Sequence, residues 1–123
     1  MSNARTHVMD TRKITERVSV GPQISPKDMP AIAAAGYRAI ICNRPDGEGV
    51  DQPSFEEIEI AAKAAGIEAR YVPVQSGMVH DEDVTAFGDA LEEVQRPVLA
   101  YCRTGTRSAT LWSLLTALGK ATP

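Results

Sequence analysis

The sequence predicts an α/β domain, a mainly parallel sheet of four to five strands flanked by helices, and two observations carry that expectation. Short apolar or alternating runs at residues 14–20, 37–42, 68–74 and 98–101 take turns with segments whose apolar residues recur at helical spacing. The intervening segments start on capping residues and stop at glycine or proline, as helices set between parallel strands do.

Residues 14–20 alternate apolar and polar up to Gly21 and Pro22, which suits a first strand at the sheet edge. Ser25 is then a natural N-cap with Pro26 at the first helical position, and Met29, Ile32, Ala33 and Gly36 give a short helix its stripe. Residues 37–42 complete a β-α-β unit, whose crossover is right-handed. Next come residues 43–53, from Asn43 to Pro53, polar and punctuated by Gly47, Gly49, Pro45 and Pro53. Long βα loops of this kind carry specificity when they are not plain solvated connectors.

Ser54 caps a helix over 55–65, with Glu56 and Glu57 in the first turn, Phe55, Ile58, Ala62 and Ala65 inward, and Gly66 at its end. Residues 68–74 read as a third strand with Pro73 near its end, because proline cannot donate to a central ladder. A helix beginning between His80 and Asp83 turns Val84, Phe87, Leu91 and Val94 inward and closes at Arg96 and Pro97. The fourth strand, 98–101, follows.

At 123 residues, 43% hydrophobic and 24% charged, the chain has an ordinary globular composition. Residues 1–10 read as a tag or disordered N-terminus, since Met1, Ser2, Asn3 and Ala4 have the look of a vector scar and the natural chain starts near Met9; residues 11–123 read as one domain. Net charge of −3 and a pI near 5.3 argue against a nucleic-acid binder, so any anion site is a local focus of positive charge. Two cysteines make no disulfide framework, and no charged start followed by an apolar run marks a secretory signal. The expected setting is cytoplasmic. No apolar run reaches the roughly 20 residues of a membrane span.

The chemistry concentrates at residues 98–109. An apolar strand ends in Cys102, passes through a turn centred on Gly105 and opens near Thr106 into a helix with Ala109, Trp112, Leu115 and Gly119 on one face. The amides of residues 103 to 107 then converge at a helix N-terminus, at the carboxyl edge of the sheet where α/β ligands bind. Converging amides, the helix dipole, Arg103 and Arg107 all favour thiolate over thiol. Cys102 is therefore the expected nucleophile and Arg107 its catalytic partner, with Arg103, Thr104, Gly105, Thr106, Ser108 and Arg44 as anion-binding candidates. The competing reading is a small apolar filler at a strand end.

Tyr101-Cys102-Arg103-Thr104-Gly105-Thr106-Arg107-Ser108 resembles the active loop of single-domain rhodaneses, in which a cysteine holds sulfane sulfur as a persulfide. It is also similar to the phosphate loop of cysteine-dependent tyrosine and dual-specificity phosphatases, where five residues separate Cys from Arg. Here four do, and Ser108 stands where a phosphatase has its arginine. Beyond the loop, Gly36 to Ile41, Asn43 to Glu48, Tyr71 to Val74 and Tyr101 to Trp112 resemble a bacterial family of small phosphatase-like domains found alone or joined to beta-lactamase-like hydrolases. The resemblance implies the cysteine-phosphatase-like fold, a small anionic substrate, association with a beta-lactamase-like hydrolase, and a chain that continues beyond Thr122 and Pro123.

A phosphatase needs a general acid beside its thiolate. In dual-specificity phosphatases an aspartate follows a strand ending like Val72-Pro73-Val74, but here Gln75 and Ser76 follow. Asp46 and Glu48, then Asp51, His80 and Asp81, are the substitutes on offer. Sulfur transfer from thiosulfate or a small persulfide needs no such acid, which puts a sulfurtransferase first, a cysteine phosphatase second and a non-catalytic anion- or persulfide-binding module third. Ser108 either bonds the thiolate or caps the helix. Cys42, ending the neighbouring strand, is a candidate redox partner for Cys102. No cofactor or metal is expected, because His7 and His80 stand alone without ligand spacing.

Overall fold

The computed structural model describes residues 10–119. Met1, Ser2, Asn3, Ala4, His7, Met9, Thr122 and Pro123 lie outside that range, and so do the expectations placed on them.

The strands are β1 (Arg12–Lys13), β2 (Val18–Gly21), β3 (Ala39–Cys42), β4 (Glu68–Tyr71) and β5 (Val98–Tyr101). They form one sheet in the order β1-β2-β5-β3-β4, parallel except for β1, which is antiparallel to β2. The expected first strand is corrected here, because residues 14–17 turn instead of extending. The Ile14 and Thr15 amides both donate to the Val18 carbonyl, at 2.9 and 3.0 Å, and Thr15 Oγ1 accepts from the amides of Arg17 and Val18. A threonine side chain that competes for local amides turns a strand pattern into a hairpin. β1 then covers β2, so β2 is not the edge.

Four α-helices fill the connections: α1 (Met29–Ala34, after a 3-10 turn at Pro26–Asp28), α2 (Phe55–Ala64), α3 (Asp81–Glu93) and α4 (Thr106–Ala117). Their starts follow from local chemistry. The Ser25 amide donates to Asp28 Oδ2 at 2.7 Å, and Ser54 and Glu57 exchange side-chain and backbone bonds in a reciprocal box. β4 stops before Pro73, although the Val72 and Val74 amides still donate to the carbonyls of Cys42 and Asn43. In α4 the expected inner face is turned by about one residue: Arg107, Ser108, Leu111, Trp112 and Leu115 are buried, while Gly119 is exposed.

Alternation along β3 and β5 sorts the core into two faces. Ala39, Ile41, Val98 and Ala100 meet Phe87 and Leu91 of α3 and Leu111 and Leu115 of α4; Ile40, Cys42, Leu99 and Tyr101 meet Met29 and Ile32 of α1 and Ile58 and Ala62 of α2. β5 lies between β2 and β3 with all four of its residues at 0% exposure. Whatever follows Tyr101 is therefore held by the best-packed strand in the molecule.

Candidate active site

Cys102 to Gly105 make the turn from β5 into α4. Cys102 is 1% exposed, and its sulfur accepts the Gly105 N–H at 3.0 Å. Gly105 has φ +96°, and a Cβ there would stand 3.3 Å from the Gly21 carbonyl, so the turn closes only with glycine. The loop is pinned to the end of β2: the Cys102 amide donates to the Gly21 carbonyl and the Gln23 amide to the Arg103 carbonyl, each at 3.3 Å. Among the described residues, the amides of Arg103, Thr104, Arg107 and Ser108 have no protein acceptor. Of the amides of residues 103 to 107 expected to line a cup, Gly105 N–H is spent on the Cys102 sulfur and Thr106 N–H on Thr104 Oγ1 at 3.4 Å. That leaves those of Arg103, Thr104 and Arg107 for it, with Ser108 added from the first turn of the helix. Thr104 and Thr106 bond each other through their hydroxyls at 3.1 Å on its exposed rim.

Arg107 is 7% exposed, and its fork is divided. Nη1 donates to Glu48 Oε2 at 2.8 Å and to the Val74 carbonyl at 2.9 Å, and Nη2 donates to Glu48 Oε1 at 2.8 Å. Nε–H and one hydrogen of Nη2 remain for a ligand. Glu48, followed by smaller contributions that include the Cys102 sulfur, holds the guanidinium above its ordinary pKa against the effect of burial. Arg44 joins from the other side, with Nε on Glu48 Oε1 at 2.9 Å and Nη1 on Gln23 Oε1 at 3.1 Å.

Two expectations about acids are corrected by this geometry. Glu48, clamped first by Arg107 and then by Arg44, has its pKa lowered from 4.5 to about 2, so near neutral pH it is a carboxylate with no proton to give. Asp46 is spent on structure: Oδ1 accepts the Phe55 amide at 2.8 Å to cap α2, and its own amide donates to Tyr71 Oη at 2.9 Å, where the Tyr71 ring stacks on Phe55. His80 and Asp81 stand at the start of α3, with the His80 amide on Asp83 Oδ2. Asp51 is exposed on the wall of the cavity beside the loop.

The lowered Glu48 pKa fixes a sign for stability. Its contribution is complete above the unfolded value of 4.5 and disappears as pH falls through about 2. Solvent reaches the pair, whose Glu48 side chain is 27% exposed, so screening leaves about 1–2 kcal/mol. Urea unfolding from near pH 6 to about pH 2 is expected to show wild type losing that much more stability than E48Q. Parallel losses in the two proteins would remove Glu48 from the account.

Ser108 does not bond the sulfur. It is fully buried, and its hydroxyl donates to Asn43 Oδ1 at 2.8 Å. Asn43, also fully buried, donates Nδ2 to the Val72 carbonyl at 2.9 Å and its amide to the Tyr101 carbonyl at 2.7 Å. One asparagine thus ties the ends of β3, β4 and β5 to the first turn of α4. Sequence reasoning passed over Asn43 and Gln23 as site residues; for Asn43 the available signal was a polar residue directly after the apolar run of β3.

Cys42, the candidate redox partner, forms no disulfide with Cys102, although the two cysteines are near enough to interact electrostatically. It shares its core face with Tyr101 and Leu99, opposite to the face of Ala100, and both cysteines are free. Its thiol donates to the Arg44 carbonyl at 3.3 Å, and burial raises its pKa, which keeps it a thiol. Among the described residues no three His, Cys, Asp or Glu side chains gather as metal ligands, and no helix is long and apolar enough to cross a membrane.

Sheet order, two-faced helical packing and a cysteine cup at the carboxyl end of the central strand define a cysteine-phosphatase-like α/β domain. Residues 10–119 match the family described as the phosphatase-like domain of beta-lactamase hydrolase-like proteins, and the chain belongs to it. It is 37% identical over 110 residues to a beta-lactamase hydrolase-like protein of Agrobacterium fabrum, and 36% identical over 101 residues to one of Xylella fastidiosa. These alignments cover 89% and 82% of this chain but only 26% and 23% of those proteins, so the chain spans about a quarter of the length of its curated relatives. A crystal structure named as a candidate phosphatase of Neisseria meningitidis superposes with a TM-score of 0.81 at 37% identity, over 91% of this chain and 79% of that one. The catalytic core of the Saccharomyces cerevisiae phosphatase Siw14, in complex with citrate, shares the fold with a TM-score of 0.65 at 15% identity, over 91% of this chain and 67% of that one.

Proposed function

We propose that this phosphatase-like domain is a sulfurtransferase that carries sulfane sulfur on Cys102. One observation carries the reading. The cup offers a nucleophile and an oxyanion clamp, yet at the positions after Val72-Pro73-Val74, where the resemblance to dual-specificity phosphatases calls for an acid, the chain has Gln75 and Ser76, while Asp46 caps a helix and Glu48 is held ionised. Sulfur transfer works without that acid. The Cys102 thiolate attacks the outer sulfur of thiosulfate, the sulfur–sulfur bond of the donor breaks with its electron pair, and sulfite leaves as a stable anion. The Cys102 persulfide then gives its outer sulfur to cyanide or a thiolate, and the Cys102 thiolate is restored. The free loop amides of Arg103, Thr104, Arg107 and Ser108 stabilise the persulfide anion, and the open edge of Arg107 holds the sulfonate. The cytoplasm, which keeps such a thiol reduced, is the setting this chemistry needs.

Phosphoryl transfer is the second reading, favoured by the family and by the named phosphatases that share the fold. Its candidate general acid is Asp51, the carboxyl on the cavity wall that is not paired with Arg44 or Arg107. The deciding experiment incubates the chain with thiosulfate and cyanide and, in parallel, with an aryl phosphate. Thiocyanate formation, with the mass of one added sulfur on the Cys102 peptide before cyanide is added, is the expected result. Aryl phosphate hydrolysis without thiocyanate overturns it in favour of a phosphatase, and silence in both assays leaves an anion- or persulfide-binding module.

A further inference from the structure

A cavity of about 610 Å³ opens beside the cup, with Arg44, Arg103 and Arg107 on its wall. Thiosulfate, with five heavy atoms, displaces only a few water volumes of about 30 Å³ each, so the space is several times what an inorganic donor fills. Its cationic side is built, not incidental. Arg44 is 7% exposed and gripped on two of its nitrogens, by Glu48 at Nε and by Gln23 at Nη1, while Nη2 has no protein acceptor. That nitrogen looks onto Gly49, where a Cβ would stand 2.7 Å away. Gln52 fixes this stretch, accepting from the Gly49 amide at 3.0 Å and donating to the Pro45 carbonyl at 2.9 Å. Arg103 is exposed, and its side chain meets no acceptor among the described residues. Glu48 offsets part of the charge of Arg44 and Arg107, and Asp51 is the other carboxylate on the wall. Three guanidinium groups against two carboxylates leave the cavity net cationic.

We infer that this cavity is a second anion subsite and that the substrate is an organic molecule with a carboxylate-type group on its body, apart from the atom that reacts at Cys102. Arg44 Nη2 and Arg103 take that group, while Arg107 serves the reacting end. The inference rests on the sulfurtransferase reading for its donor, but the subsite itself depends only on the cavity.

The test compares two donors, the persulfide of mercaptoacetate and the persulfide of its methyl ester, which differ by one charge. A charge-assisted hydrogen bond predicts that wild type prefers the acid by about tenfold in kcat/KM. The preference falls towards unity in R103Q, and also in G49A, whose methyl group closes the free end of Arg44. A wild-type ratio near unity, or a ratio that both variants preserve, overturns the inference. A binding arm separates its failure from that of the chemistry. Calorimetry on the C102S chain is expected to show succinate binding where dimethyl succinate does not, with G49A weakening the former. If no donor is turned over but succinate binds in this pattern, the sulfurtransferase reading fails and the subsite stands; if succinate does not bind, the subsite fails too.

Discussion

The C102S chain will take no sulfur from thiosulfate and will form thiocyanate at least about 10³-fold more slowly than wild type, the scale on which loss of a covalent nucleophile is felt. A serine hydroxyl cannot hold a persulfide, and at neutral pH it supplies almost none of the anion. The fold should survive the change. Cys102 sits at the end of the central strand with one amide donor on its sulfur, and a serine oxygen accepts from the same Gly105 N–H. A stability change within about 1 kcal/mol is expected in a denaturant titration. The informative contrast is with Cys42, whose thiol lies in the core with Tyr101 and Leu99, bonded to the Arg44 carbonyl and kept protonated by burial. Added sulfur mapped to Cys42 rather than Cys102 would defeat the assignment of the nucleophile.

The part of this site that the sequence made legible is the part written in local chemistry. The strand ending in Cys102, the glycine that must take positive φ and the helix beginning at Thr106 are all set by residues within a few positions of each other, and local patterns report such features well. The caps at Ser25 and Ser54 were legible for the same reason. What escaped depends on distance along the chain. Glu48 looks like a free acid in the sequence, because nothing there shows that Arg107, 59 positions on, closes on it from another loop. Asn43 looks like ordinary loop polarity until β4 and α4 arrive to use both ends of its amide. The turn at 14–17 was missed for a local reason, since alternation suggested a strand where Thr15 bonds two amides behind it.

The same long-range contacts make Arg107→Lys the second severe lesion, although charge is conserved. Arginine meets two Glu48 oxygens and the Val74 carbonyl on one side of its fork and keeps two N–H groups for the cup. Lysine is a single point of charge on a flexible stem and cannot span those partners at once. If it stays with Glu48, the reacting anion loses its clamp; if it turns to the anion, Glu48 is left with Arg44 alone. Loss of a preorganised oxyanion donor costs about 10²–10³-fold, so kcat/KM for thiosulfate in R107K is expected to fall by that amount. A second readout separates this from simple damage. Arg107 is the largest cause of the low Glu48 pKa, so in R107K that carboxyl should titrate closer to 4.5, and the acid-dependent loss of stability should shrink. A variant that kept wild-type turnover, or lost turnover while Glu48 still titrated near pH 2, would break the link between the ion pair and the clamp. A fall in both together means that the loop at 43–53 belongs to the working site through Glu48, because it is the carboxylate of that loop that holds the arginine of the other in place.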